Sequence, residues 1–302
     1  MEKTILKIEG LSKNYKNVNA VQNLSFDVKE KMVYGILGPN GSGKTTTLGM
    51  LLGVIRPKKG SFSWFENGMI DANRKRIGAL LETPNFYPYL TAEQNLKIVA
   101  LIKEIKDAPK EIDRVLKLVS LYERRTSKFK AFSLGMKQRL AIASVLLGDP
   151  EVLVLDEPTN GLDPQGIAEI RDLIIHIGQQ GKTIIIASHI LDEIEKVCSH
   201  CVILKNGQLI RTGTIGEIIG NENDVLIKVA SLDLVRLNAF ILQHKDIGLF
   251  KELSGKLVLR IENSLNPTTL NQLFFDNGIV LSELSIYNET LESQFLEIIK
   301  KS

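Results

Sequence analysis

The chain has 302 residues, 44% hydrophobic and 24% charged, with a formal net charge of +3. That length suits one large domain or a domain with an appendage, and the composition is that of a globular protein rather than a disordered one. The charge is too small and too evenly spread to argue for nucleic acid. Apolar runs such as Ile184-Ile185-Ile186-Ala187 are far too short to span a bilayer. The N-terminal Met1-Glu2-Lys3-Thr4 alternates charged and apolar residues without the apolar core of a signal peptide, so a cytoplasmic chain is expected.

Residues 4–11 and 24–29 alternate in polarity and read as strands of an N-terminal antiparallel β subdomain. The apolar run Met32-Val33-Tyr34-Gly35-Ile36-Leu37 reads as a buried strand, and a helical stretch covers 44–52. Between them, Gly38-Pro39-Asn40-Gly41-Ser42-Gly43-Lys44-Thr45 fits the phosphate-loop pattern G-x-x-x-x-G-K-[ST] at every fixed position. Glycines let the backbone curl so that successive N–H groups point inward as an anion nest. The helix start adds its positive dipole end. Lys44 supplies a point charge for the β- and γ-phosphates, and the Thr45 hydroxyl is a ligand for Mg²⁺. Thr46 beside it is taken into the same nucleotide site.

From Pro84 to about Leu147 the pattern turns helical, a helical insert of about 85–147. Thr91 and Gln94 have capping-box spacing before a helix over 95–103. Residues 110–121 are amphipathic, and 137–147 form a third helix. Buried strands over 152–155 and 183–187, separated by a helix over 164–180, imply a parallel sheet. Strands 201–205 and 208–212 meet at Asn206-Gly207 as a hairpin. Beyond Gly220 come short strands (224–230, 256–262, 278–286) and short helices (232–243, 267–275, 290–300). The expected fold is therefore α/β: a P-loop NTPase with a mixed sheet over 1–220, then a small α+β module over 221–302.

Val152-Leu153-Val154-Leu155-Asp156-Glu157 is an apolar strand ending in two carboxylates. In a phosphate-loop ATPase the first, Asp156, would hold Mg²⁺ through water. The second, Glu157, would act as general base on the attacking water. Cys198 and Cys201 form a lone C-x-x-C pair, half of a tetrahedral zinc site with no second pair, and read as buried structural cysteines.

Phe132-Ser133-Leu134-Gly135-Met136-Lys137-Gln138-Arg139 resembles the signature motif of ATP-binding cassette (ABC) ATPases. Asn160-Gly161-Leu162-Asp163 looks like that family's D-loop, Ser188-His189 like its switch histidine, and Tyr15 sits where the family places an aromatic on adenine. The resemblance covers about residues 4–220, every motif in order. It implies a site shared by two head-to-tail ATPase subunits, a homodimer being possible. Ser133 and Gly135 would cap the γ-phosphate held by the partner's loop, His189 would contact it, and Asp163 would tie the two sites together. Tyr15 read alone is equally a core aromatic.

Two departures stand out. The signature's first glycine is Leu134 and its usual glutamine is Met136. The family's Q-loop glutamine falls at Glu82, read either as a ligand to Mg²⁺ or the attacking water, or as a surface acid. A glutamate there, with Ser-Leu-Gly-Met-Lys, resembles exporters of the lantibiotic and bacitracin type. The resemblance thus implies an ATPase at the cytoplasmic face of the membrane that powers a separate transmembrane permease subunit, with no nucleic-acid partner. The alternative is a soluble ABC ATPase with a regulatory role. Phe86, Tyr87 and Tyr89 are read either as a dock for the permease or as packing of the helical insert.

Overall fold

The computed structural model describes residues 3–65, 71–81, 86–220, 225–253, 255–261 and 265–301. Its contacts divide the chain into two units, Met1–Ile218 with Phe295–Ser302, and Ile219–Gln294. The last eight residues thus group with the first unit, where a boundary at 220/221 had assigned them to the second. One tie is a hydrogen bond from Lys205 Nζ to the Ile299 carbonyl at 2.6 Å.

In the first unit, β1 (Thr4–Tyr15) and β2 (Val18–Lys29) form an antiparallel hairpin whose alternation buries Leu6 and Ile8, and a register irregularity after Ile8 brings Leu11 to the buried side. Then come β3 (Val33–Leu37), α1 (Lys44–Leu51), β4 (Lys59–Trp64), α2 (Asp71–Arg74) and β5 (Ile77–Leu80). β4 joins the hairpin in a sheet of order β2-β1-β4. Neither β4 nor β5 was legible in the sequence. β4 begins Lys-Gly on a sheet edge, and β5 is four residues with a glycine inside. That glycine is a packing requirement, because a Cβ on Gly78 would lie 2.6 Å from the Val145 carbonyl oxygen.

The helical insert contains α3 (Ala92–Ile102), α4 (Ala108–Leu118) and α5 (Leu134–Leu146). α3 starts at the expected capping box, Thr91 with Gln94. The last carbonyls of α5 are satisfied from neighbouring helices. Lys103 Nζ donates to the carbonyls of Ser144, Val145 and Leu147, each at 3.0 Å, and Arg114 Nη2 reaches Leu146 at 3.1 Å. Burial pulls the Lys103 ammonium down to about 8.

Next come β6 (Val152–Asp156), α6 (Pro164–Gln179), β7 (Thr183–Ser188), α7 (Leu191–Val197), β8 (His200–Lys205), β9 (Gln208–Thr214) and α8 (Ile215–Ile219). The central sheet has order β5-β6-β7-β3-β8-β9, parallel except for β9, so it is mixed. β6 and β7 are buried along their whole length, which is why they read as unbroken apolar runs. Cys198 and Cys201 are buried free thiols. Burial pushes the Cys198 thiol up and the Cys201 thiol up to about 12.

The second unit contains β10 (Val225–Ser231), α9 (Leu234–Gln243), β11 (Ile247–Leu253), β12 (Lys256–Ile261), α10 (Pro267–Asp276) and β13 (Leu281–Ile286); α11 (Leu291–Lys301) follows. The strands pair antiparallel in the order β11-β12-β10-β13, so the βαββαβ chain makes a split-βαβ sheet. Its core gathers Ile227, Val229, Leu259, Leu237, Leu270 and Phe274. β11 escaped the sequence reading because a register shift between Leu249 and Lys251 breaks its alternation. β13 starts later than expected: Gly278, at φ 71°, and the bond from Ile279 N–H to the Phe274 carbonyl belong to the end of α10. Among the described residues no helix is long and apolar enough to cross a membrane.

Candidate functional site

β7 lies between β6 and β3, and the register places Leu37 opposite Ser188 and Asp156 opposite Ala187. The loop after β3, the turn after β6 and the turn after β7 therefore leave the same carboxyl edge of a parallel sheet, where α/β folds bind ligands.

The loop's shape is set by its glycines. Gly43 has φ 100°, and a Cβ there would lie 2.4 Å from the Ala20 carbonyl oxygen. A Cβ on Gly38 would lie 2.3 Å from Ser42 Oγ and 2.4 Å from the Leu204 carbonyl oxygen. Only glycine fits either position without displacing backbone. Pro39 and Asn40 carry the chain over the top, where the Pro39 carbonyl accepts from Ser42 N–H at 3.1 Å. Gly41, at φ 79°, faces open space. Ser42 Oγ is buried with no hydrogen-bond partner among the described residues. A buried hydroxyl inside an anion nest is ready to donate to a phosphate oxygen.

Lys44 opens α1, is buried, and donates from Nζ to the Gly38 carbonyl at 2.7 Å. Nζ also lies 3.8 Å from Glu157 Oε1. Glu157 Oε2 is 2.7 Å from His189 Nδ1. One carboxylate thus spans the loop lysine and the histidine that follows β7. Glu157 sits at φ 47°, a left-handed conformation uncommon for a non-glycine residue, and its N–H donates to the Ala187 carbonyl at 2.9 Å. The turn therefore aims the side chain by bonding to the strand that carries His189. Asp156, the last residue of β6, is buried. Thr45 is exposed and Thr46 half-buried at the start of α1.

Other expected site residues lie apart from this cluster. Ser133 is the N-cap of α5, its hydroxyl accepting from Met136 N–H at 3.3 Å, and it is exposed. A Cβ on Gly135 would meet nothing within 4 Å. Among the described residues neither shares a hydrogen bond with the loop or with Glu157. Asp163 is exposed and caps α6, Oδ1 accepting from Gly166 N–H at 3.0 Å. Tyr15 is 45% exposed at the end of β1, which rules out the core-aromatic reading. Glu82 lies outside the described residues. Of the three aromatics near it, Phe86 packs edge-on against Phe129 at 5.2 Å, while Tyr87 and Tyr89 are exposed.

Sequence reasoning missed one support of the loop. Gly207, in the Asn206-Gly207 turn, donates to the Ser42 carbonyl at 3.1 Å and accepts from Gln22 N–H at 2.7 Å. The turn was legible; its place behind the phosphate loop was not.

The ABC transporter family model matches residues 21–160. Over 303 residues the chain is 39% identical to the bacitracin transport ATP-binding protein BcrA of Bacillus licheniformis, covering 98% of this chain and 97% of that one. Among solved structures it resembles cbiO1 from Clostridium perfringens, part of the ABC transporter complex cbiONQ, with TM-score 0.67 and 31% identity over 73% of this chain and 92% of that chain. It also resembles the dimeric ATP-binding cassette MJ0796 bound to ADP and Pi, with TM-score 0.62 and 26% identity over 70% of this chain and 98% of that chain. The geometry of Lys44, Glu157 and His189 and these likenesses lead to one conclusion: the chain belongs to the ATP-binding, ATP-hydrolysing subunits of ABC transporters.

Proposed function

We propose that the chain energises export of a peptide antibiotic, lipid-like or drug-like substrate through a separate membrane permease, working as a pair of identical ATPase subunits at the cytoplasmic face. The supporting observation is the Glu157 carboxylate held between Lys44 and His189 at the carboxyl edge of the sheet. Backbone N–H groups from Asn40 to Thr46, with Ser42 Oγ and Lys44, hold the ATP phosphates. Tyr15 offers an exposed ring to the adenine. Glu157 takes the proton of the attacking water, and His189 holds the carboxylate in place and touches the γ-phosphate.

The Thr45 hydroxyl and the Asp156 carboxylate are hard oxygen donors that suit Mg²⁺. Bound there, the ion would neutralise charge on the β- and γ-phosphates. Glu82 is assigned the role of the family's Q-loop glutamine, as a ligand to Mg²⁺ or the attacking water. Ser133 and Gly135 lie on an exposed helix start with open space above, which suits capping of a γ-phosphate bound to the other subunit. Asp163 crosses between the two sites. The bacitracin transport relative supports the substrate class, and exposed Tyr87 and Tyr89 offer a dock to the permease.

The test has two parts. ATP turnover per chain should rise with chain concentration, because each site needs two subunits; turnover independent of concentration over the dimerisation range would count against the shared site. The chain drawn from detergent-solubilised membranes should bring a multi-spanning protein with it and gain turnover from that partner. Recovery without a membrane protein would refute the transport role.

A further inference from the structure

Behind the Glu157 and His189 turns lies a small cavity of about 20 Å³. Thr159 lines it from the turn after β6, Ser188 from the end of β7, Arg171 and Ile174 from α6, and Glu193 and Ile194 from α7. The cavity surface is almost wholly apolar.

Glu193 is only 9% exposed. Its Oε1 accepts from Arg171 Nη1 at 3.1 Å. Its Oε2 is buried and has no hydrogen-bond partner among the described residues. An unpaired buried carboxylate oxygen is costly, and native proteins satisfy such atoms with protein or water. Without Arg171 neither carboxylate oxygen of Glu193 would be hydrogen-bonded among the described residues.

The pair's position in the chain gives it consequence. α6 starts at the Asp163 cap of the loop that follows Glu157, and α7 starts two residues after His189. Arg171 and Glu193 therefore join the helix leaving one hydrolytic turn to the helix leaving the other. The turns also touch directly, through the bond from Glu157 N–H to the Ala187 carbonyl. We propose that Arg171 and Glu193, bonded directly between α6 and α7, form a strut that sets His189 against Glu157 and makes both positioning residues for ATP hydrolysis. The proposal rests on the assignment of Glu157 and His189 to the hydrolytic step. The strut touches none of the residues assigned to ATP binding, so its loss acts on geometry alone, where a misplacement of about 1 Å costs up to about a hundredfold in rate.

The test measures turnover per nucleotide-binding site in the full chain, well below each variant's melting midpoint. Glu193→Gln keeps the volume and withdraws the charge. It should lower kcat about tenfold while KM for ATP stays within about twofold. Arg171→Met should do the same, and Arg171→Lys should restore most of the rate. The double variant Arg171→Met/Glu193→Gln should be no slower than the slower single, because both act through one link. A lowered melting midpoint with unchanged kcat would reduce the pair to a structural role and overturn the proposal, as would losses that multiply. In a His189→Ala background Glu193→Gln should cost nothing further; a further loss means Glu193 acts elsewhere. Full turnover in His189→Ala alone would instead remove His189, and with it the assignment on which the strut rests.

Discussion

Lys44 Nζ and Glu157 Oε1 lie 3.8 Å apart, the lysine 7% exposed and the glutamate 23%. The lysine does not depend on the glutamate for its place, because Nζ is also bonded to the Gly38 carbonyl at 2.7 Å. Binding and hydrolysis should therefore separate by mutation. Glu157→Gln keeps the size and polarity of the side chain but removes the base. Turnover should fall by about 10²–10⁴, while the affinity for ATP stays within a few-fold. Phosphate release and equilibrium nucleotide binding on one preparation decide the matter. Undiminished turnover would remove Glu157 as the base.

Lys44→Ala should show the opposite pattern. A buried cation aimed at phosphates makes charge-assisted hydrogen bonds of about 1.5–3 kcal/mol each. Its loss should raise the dissociation constant for ATP at least about tenfold, since 1.4 kcal/mol is a factor of ten. Titration of a fluorescent ATP analogue measures this. An unchanged constant would mean that the loop's backbone alone carries the phosphates.

Much of this arrangement is legible in the sequence. A phosphate loop, a strand ending in two acids and a helix opened by Ser133 each bind chemistry to a local pattern, and local patterns survive in sequence. What failed was non-local. β5 has too few residues to show a period, and its Gly78 is explained only by the Val145 carbonyl of α5. β11 loses its alternation to a register shift. The Arg171–Glu193 pair joins helices whose proximity no periodicity reveals. Asp163 caps α6 and stays exposed, a geometry compatible with the contact to a second subunit proposed above.

Two glycines that look alike in the motifs should behave differently. Gly43→Ala places a Cβ 2.4 Å from the Ala20 carbonyl oxygen at φ 100°, so it should destabilise the isolated subunit by about 1–3 kcal/mol and lower its melting midpoint. At Gly135 an added Cβ meets nothing within 4 Å. Gly135→Ala should leave the melting midpoint and ATP affinity of the subunit unchanged. It should still suppress turnover and ATP-driven dimerisation, because the open space is assigned to the partner's phosphate. Light scattering with Glu157→Gln as the trapping background reads the dimer. Normal dimerisation by Gly135→Ala would detach that glycine from the shared site.

In the second unit Glu283 lies between Lys228, at 2.7 Å, and Lys256, which hold its carboxyl down at about 2 against an ordinary 4.5. A carboxylate whose folded value is lowered adds stability that is complete above the unfolded value and disappears as the pH falls through the folded one. The window here runs from about 4.5 down to about 2. These side chains are partly exposed, so the effect should be modest and should shrink in high salt. Glu283 links β13 to β10 and β12, so the loss should appear in their amides. Hydrogen exchange on the full chain at pH 6 should show faster opening of Val225–Ser231 and Leu281–Ile286 in Glu283→Gln than in the wild type. The difference should narrow between pH 4.5 and 2, where the wild-type carboxyl also gains its proton. A difference that persists unchanged at pH 2 would assign the effect to packing rather than to charge.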